Sequence, residues 1–262
     1  MPVRQGWICP AAPFLPAGSS ASTLPTWSAQ RDRSAVLLEE EASMDDVLKV
    51  MIDGIPVLME GLGLTVYLAV ISLVFATMIG LVSGLMTLSK RIWLYGPARL
   101  YVNVIRGTPL LVQILFIYFG LPAVLSIKLT PMVAGVIAIS FHIGAYVSEV
   151  FRAGIESVDR GQMEAARSLG LTQAQAMRKI IIPQASRSMI PPMMNQFIMG
   201  VKDTSLLAVI GVAELTQRGQ SIYAVNYRAF EILSLVALIY LILTYTLYRV
   251  SRVVEKKFGV AR

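Results

Sequence analysis

Residues able to do chemistry are few in this chain and far apart. Glu164-Ala165-Ala166 is followed after three residues by Gly170 and, nine further on, by Ile180-Ile181-Ile182-Pro183. One carboxylate, two minimal side chains and a conformationally permissive glycine do not make a catalytic set. They make a small surface that another body can approach closely, with one charge to orient it. The other candidates are polar groups that interrupt apolar sequence: Arg106 in Arg106-Gly107-Thr108-Pro109, then Gln113, His142, Glu149 and the pair Lys202-Asp203. A charge in apolar surroundings is costly unless paired or wetted, so each is either a pathway group or a structural polar contact.

Enzyme chemistry has little to work with. One cysteine (Cys9) excludes an internal disulfide framework, and one histidine (His142) excludes a His-rich metal site. No lysine is preceded by glycine, so the phosphate-cradling loop of an ATPase is missing, as is any LSGGQ-like sequence. No paired carboxylates stand at catalytic spacing.

The elements that carry these residues are read from composition. Hydrophobic residues make up 55% and charged residues 15%, against about 25% charged in a soluble domain. Residues 62–88 hold no charge at all, and a bilayer core of ~30 Å needs about 20 apolar helical residues. The chain reads as an all-α integral membrane protein with five spans, at about 57–88, 97–121, 129–148, 189–201 and 229–248. Pro109 predicts a kink or restart in the second span. The fourth span stops at Lys202-Asp203, and Leu206–Ala213 is too short to cross alone. Residues 1–43, rich in proline and serine with an acidic Glu39-Glu40-Glu41 cluster, read as a disordered extension rather than a signal peptide. Met44 opens a more regular pattern and is a possible alternative start.

The net charge of +7 has a topological rather than a nucleic-acid reading. Fourteen basic residues fall in segments 90–99, 152–187 and 249–262, against four (Lys128, Lys202, Arg218 and Arg228) in the opposite connections. The rule that basic loops stay inside places the long 149–187 loop and the C-terminus in the cytoplasm and the N-terminus outside. Within that loop Gln162–Leu169 reads as a helix, Gly170 as a turn, and Thr172-Gln173-Ala174-Gln175 as the capping box of a second helix. Pro183 is expected to stop simple continuation into the next segment.

The spacing of Glu164-Ala165-Ala166, Gly170, Ile180 and Pro183 resembles the EAA loop of ABC-importer permeases, departing only at Ile182, where that family usually has leucine. The resemblance covers most of residues 54–258. It is closest to permeases for polar amino acids, through Arg106–Gln113, Ala145-Tyr146, Gly161-Gln162 and Lys202–Leu206, and to glutamine permeases through Val209–Thr216 with Gly219-Gln220. It implies the type I importer (MetI-like) fold in residues 44–262, with a cytoplasmic coupling helix that seats in a groove of an ATP-binding subunit. It assigns Gly161, Glu164, Ala165, Ala166, Gly170, Ile180 and Pro183 to coupling. The implied protein is a multi-pass permease of a bacterial inner membrane, importing a polar amino acid with glutamine favoured. ATP and Mg would be bound by two copies of the partner ATPase and no cofactor by this chain. The other partners would be a second permease copy, giving a homodimer, a periplasmic or lipid-anchored binding protein, and membrane lipid, with no nucleic acid. The competing class is a self-contained channel or ion-coupled secondary transporter, which internal repeats and intramembrane acids would favour.

For the pathway, each residue keeps two readings. Arg106 is a snorkelling anchor or a partner for a substrate carboxylate or gating acid. His142 is a packed imidazole or a translocation contact. Glu149 pairs with Arg152 at the inner boundary or lines the path. Thr108 and Gln113 join helices or hydrogen-bond a substrate side chain. Lys202 and Asp203 mark a membrane boundary, an outer gate or a dimer axis.

Overall fold

The computed structural model describes the backbone of residues 44–258 and the side chains of 48–258, so the expected extension 1–43 lies outside the described residues. Ten α-helices follow one another without a strand among the described residues: α1 (Met44–Thr87), α2 (Ile92–Arg106), α3 (Leu110–Leu115), α4 (Leu121–Leu125), α5 (Pro131–Glu156), α6 (Arg160–Ser168), α7 (Gln173–Ala176), α8 (Ile182–Asp203), α9 (Leu215–Asn226) and α10 (Ala229–Lys257). A π-helical turn, Phe116–Gly120, joins α3 to α4; another, Met177–Ile181, joins α7 to α8; a 3-10 segment, Thr204–Ile210, continues α8.

Three of these helices, α1 over Leu48–Thr87, α5 and α10, are long and apolar enough to cross a membrane. The second expected span differs from a single crossing of 97–121. Helix α2 and the segment Leu110–Leu125 meet at 109°, because Pro109 lacks the N–H that would continue the helix. Only together are the two pieces long and apolar enough for a crossing, and that crossing is broken rather than straight. The fourth is longer than 189–201: α8 has 22 residues, ~33 Å at 1.5 Å per residue. The arrangement is compatible with five crossings.

Pro183 does not stop the chain either. The Ile182 N–H reaches back five residues to the Met177 carbonyl, and this wider turn accommodates a proline that has no N–H to give. Helix therefore runs without interruption from Gln173 to Asp203.

Helix α5 is the hub. Its Ala134, Ala138, Ile139, Ile143 and Val147 form one buried cluster with Leu68 and Ala76 of α1, Ile114 of α3 and Leu207 of the 3-10 segment. Lipid tails are as apolar as leucine, so close approach rather than apolar area selects these contacts. Gly80 is where α1 comes nearest: a Cβ there would stand 2.5 Å from Val147 and 2.9 Å from the Gly144 carbonyl oxygen. Gly84 does the same against Phe151, whereas Gly63, earlier on the same helix, faces open space.

After α8 the chain folds back. Gly211, at φ +79°, turns it so that α9 lies between α1 and α10. The fully buried Glu214 fixes it there: its carboxylate accepts from Gln217 N at 2.9 Å, Tyr240 Oη at 2.9 Å and Thr65 Oγ1 at 3.5 Å. Thr65 Oγ1 in turn accepts from Leu215 N at 3.1 Å. The stretch Leu206–Ala213 thus packs into the bundle without crossing it.

Two glycine substitutions should act with opposite sign. Alanine favours a helix over glycine by about 1 kcal/mol, so Gly63→Ala should leave the melting temperature in detergent unchanged or raise it. Gly80→Ala should lower it, since overpacking costs roughly 1–3 kcal/mol.

Candidate functional site

Two places gather the singled-out residues: an elbow beneath one end of the bundle, and a polar cluster beside the α2–α3 break.

The elbow begins where Asp159 caps α6, its Oδ1 accepting from Gly161 N at 2.8 Å. Ala166 turns inward and is buried, while Glu164 and Ala165 are exposed. The chain then reverses at Gly170, φ +81°, with Leu171 N donating to Ala166 O. The capping box at Thr172 forms in both directions: Gln175 N to Thr172 Oγ1 at 3.3 Å and Thr172 N to Gln175 Oε1 at 2.9 Å. Ile155, Ile181, Ala185 and Met189 form an apolar cushion against which Met163, Met177 and Ile180 pack. Ile180 therefore anchors the elbow rather than presenting it, and Pro183 lies in the first turn of α8, by which the chain leaves it. Leu169 is 83% exposed at the tip. Sequence reasoning passed over it, although a leucine before the turn glycine in an otherwise polar stretch is a readable signal.

The polar cluster contains five of the expected residues. Where α2 ends, the carbonyls of Ile105 and Thr108 face Gln113 Nε2 at 2.8 and 3.1 Å, and Thr108 Oγ1 lies 2.8 Å from the same nitrogen. With Nε2 committed to carbonyls, Gln113 Oε1 faces His142 Nδ1 at 3.0 Å. That geometry assigns the proton to Nδ1. The His142 ring contacts Tyr146, centroids 5.2 Å apart, and the Arg106 guanidinium lies 5.4 Å over the Tyr146 ring, within cation–π range.

Below Tyr146, Glu149 collects three guanidinium groups. Arg99 approaches at 3.5 Å and Arg106 at 3.7 Å. Arg152 donates its Nε at 3.2 Å and also pairs with Glu156. Arg99 was not foreseen here, because its position depends on the bend that turns α2 across α5. A cavity of about 350 Å³ opens beside this cluster, lined by Arg106, Tyr146, Glu149, Ser157, Ser188 and Gln196. Its two walls, α5 and α8, are joined near the elbow by the Ser157–Ser188 hydroxyl contact of 3.1 Å. A site with fixed cations, a carboxylate and neutral hydroxyl and amide groups suits a small zwitterion.

Lys202 and Asp203 are not part of this cluster. They end α8 about 21 Å along the helix from Ser188 at 1.5 Å per residue, Lys202 exposed and Asp203 half-buried.

Comparison with known proteins gives the geometry a context. Residues 76–260 match the family described as binding-protein-dependent transport system inner membrane component. The glutamine transport system permease protein GlnP of Escherichia coli is 42% identical over 208 residues, 79% of this chain and 95% of that protein. The arginine transport system permease protein ArtQ of Bacillus subtilis is 36% identical, over 79% of this chain and 94% of its own. A crystal structure of an amino acid ABC transporter with histidines shares 40% identity and a TM-score of 0.76, over 79% of this chain and 96% of that one. The MetNI methionine ABC transporter, in inward-facing conformations, is alike in fold alone: TM-score 0.66 at 20% identity, over 79% of this chain and 97% of that one.

Gln113→Leu should strip the amide's bonds from the Ile105 and Thr108 carbonyls and from His142, at roughly 1–3 kcal/mol. In a double-mutant cycle of thermal stability with His142→Phe, the two losses should fall short of additivity by about 0.6 kcal/mol. Strict additivity would show that the side chains share no bond.

Proposed function

The chain belongs to the inner membrane components of binding-protein-dependent transport systems, and from that premise we propose that it imports glutamine as one half of a permease homodimer. It is the permease subunit of an ABC amino-acid importer. Such a subunit lacks ATPase motifs of its own, so hydrolysis falls to a separate subunit and substrate delivery to a binding protein. The self-contained channel or ion-coupled carrier is set aside on the same ground.

The elbow carries the reading. An apolar tip (Leu169), a small exposed residue (Ala165) and one orienting acid (Glu164) stand out from a cushion that fixes the base of the elbow. This is the form of a ball for another protein's socket, and two ATP-binding subunits would each take one. The excess of basic residues at one end of the spans supports a cytoplasmic elbow and an outside N-terminus.

The substrate path runs past the cavity between α5 and α8. Arg106 and Glu149 pair with each other at 3.7 Å, and an amino-acid zwitterion offers a carboxylate to the first and an ammonium to the second. Entry of substrate would exchange the Arg106–Glu149 pair for one pair with each substrate charge, while Arg99 and Arg152 keep Glu149 oriented. Gln196, Ser157 and Ser188 supply neutral hydrogen bonds suited to a side-chain amide. Thr108, Gln113 and His142 hold the helix break that points Arg106 at the cavity. Lys202 and Asp203, at the far end of α8, would serve an outer gate. ATP-driven closure and reopening of the partner subunits would move both elbows and alternate the cavity between outward- and inward-facing states.

The test is reconstitution with the ATPase and binding protein. Leu169→Asp and Glu164→Lys alter exposed groups, so membrane insertion and melting temperature should hold while ATP-driven uptake falls by at least about tenfold, the equivalent of 1.4 kcal/mol of coupling. Gly170→Ala should also uncouple, because an L-residue in the left-handed region costs roughly 1–2 kcal/mol. Normal uptake in all three would remove the coupling assignment.

A further inference from the structure

Away from the cavity, the opposite side of α5 carries a continuous apolar channel on the surface. A hollow of about 440 Å³ lies between α1 and α5, with Tyr67, Phe75, Ile79 and Phe141 among its walls. A second, of about 400 Å³, shares Ile79 and Phe141 and continues past Val82 and Met86 to Pro97 of α2. From Tyr67 to Met86 the channel is ~28 Å long at 1.5 Å per residue, close to the ~30 Å of a bilayer's hydrocarbon core.

Hydroxyl groups along it are already occupied. Ser83 Oγ donates to Ile79 O at 2.7 Å, Ser140 Oγ to Val136 O at 2.6 Å and Tyr101 Oη to Phe141 O at 2.6 Å. A polar solute would find none of these three hydroxyl protons free there. At its elbow end the channel runs out at Met86 and Pro97, and the turn that joins α1 to α2 between them exposes Lys90 and Arg91. Neither is paired with a carboxylate among the described residues. Trp93, 87% exposed, and Ile92, 68% exposed, follow at once. An indole beside basic residues at a span's end marks the headgroup level.

We propose that this channel is a binding site for one anionic phospholipid, its acyl chain along Met86, Val82 and Phe141 and its phosphate on Lys90 and Arg91. Charge decides against a second copy of the chain as occupant. A twofold axis along the membrane normal sets both basic turns at the same depth, so a copy seated there would press like charges together. The site is separate from the substrate cavity and holds whether or not glutamine is the cargo.

The experiment is native mass spectrometry of the transporter purified with its ATPase, from vesicles of equal phosphatidylglycerol and phosphatidylethanolamine. The wild type should retain phosphatidylglycerol in preference by roughly thirtyfold, the Boltzmann equivalent of two basic residues at an anionic surface. Lys90→Gln with Arg91→Gln should bring the preference close to unity, and Val82→Trp should abolish retention of either lipid. ATP-driven uptake, measured on the same samples, reports folding and the importer reading independently. Should Val82→Trp unfold the protein, Met86→Phe makes the same test. Retention of phosphatidylglycerol at the wild-type level by both the filled and the basic-to-neutral variants would overturn the proposal. So would a disulfide between two copies carrying Val82→Cys, which would give the channel to a second chain.

Discussion

Hydrocarbon leaves no backbone group or charge cheaply without a partner, and two breaks in this helical bundle are met by side chains that answer that demand. The α2–α3 break exposes two carbonyls, and Gln113 takes both. The fold-back before α9 leaves helix-starting N–H groups, and the buried Glu214 with Thr65 takes two of them. The polar residues that stand out in the sequence therefore serve the backbone first. That service is also what places function, since the break held by Gln113 brings Arg106 to Tyr146 and Glu149.

Glu149 is where separate parts of the chain are tied together. Arg99 comes from the middle of α2, Arg106 from its end, and Arg152 from the next turn of α5 itself. The ions are partly exposed, so their worth lies more in orientation than in stability. Two turns further on α5 ends, and Asp159 caps the elbow helix α6. The carboxylate that organises the cavity and the cap that organises the elbow thus hang from one rigid element.

The helical content, the membrane character and the elbow were legible in the sequence because each rests on local rules. The charge-free run of residues 62–88 sets a span, and Thr172 with Gln175 sets a capping box. Gly170 sits in the left-handed region, as its place after α6 required. What escaped was set by long-range geometry. That Pro109 would break a helix was readable, but the 109° angle was not, and with it went the position of Arg99. Pro183 misled in the other direction: a π-helical turn absorbs it, and no local signal announces that wider turn. Gly63 and Gly80 look alike in sequence, yet only Gly80 meets a neighbouring helix.

The π-helical turn matters beyond the correction. Because helix continues from Gln173 through Asp203, the elbow is joined rigidly to α8, and through Asp159 it is joined closely to α5. These are the two walls of the cavity, clasped near the elbow by Ser157 and Ser188. A load applied at Leu169 would therefore reach both walls, through different attachments, and a rigid rotation of the elbow would change their separation rather than carry them together. In the proposed mechanism no long relay of side chains is needed. Docking force would enter at the tip and be resolved within two helical turns into opening or closing of the space beside Glu149.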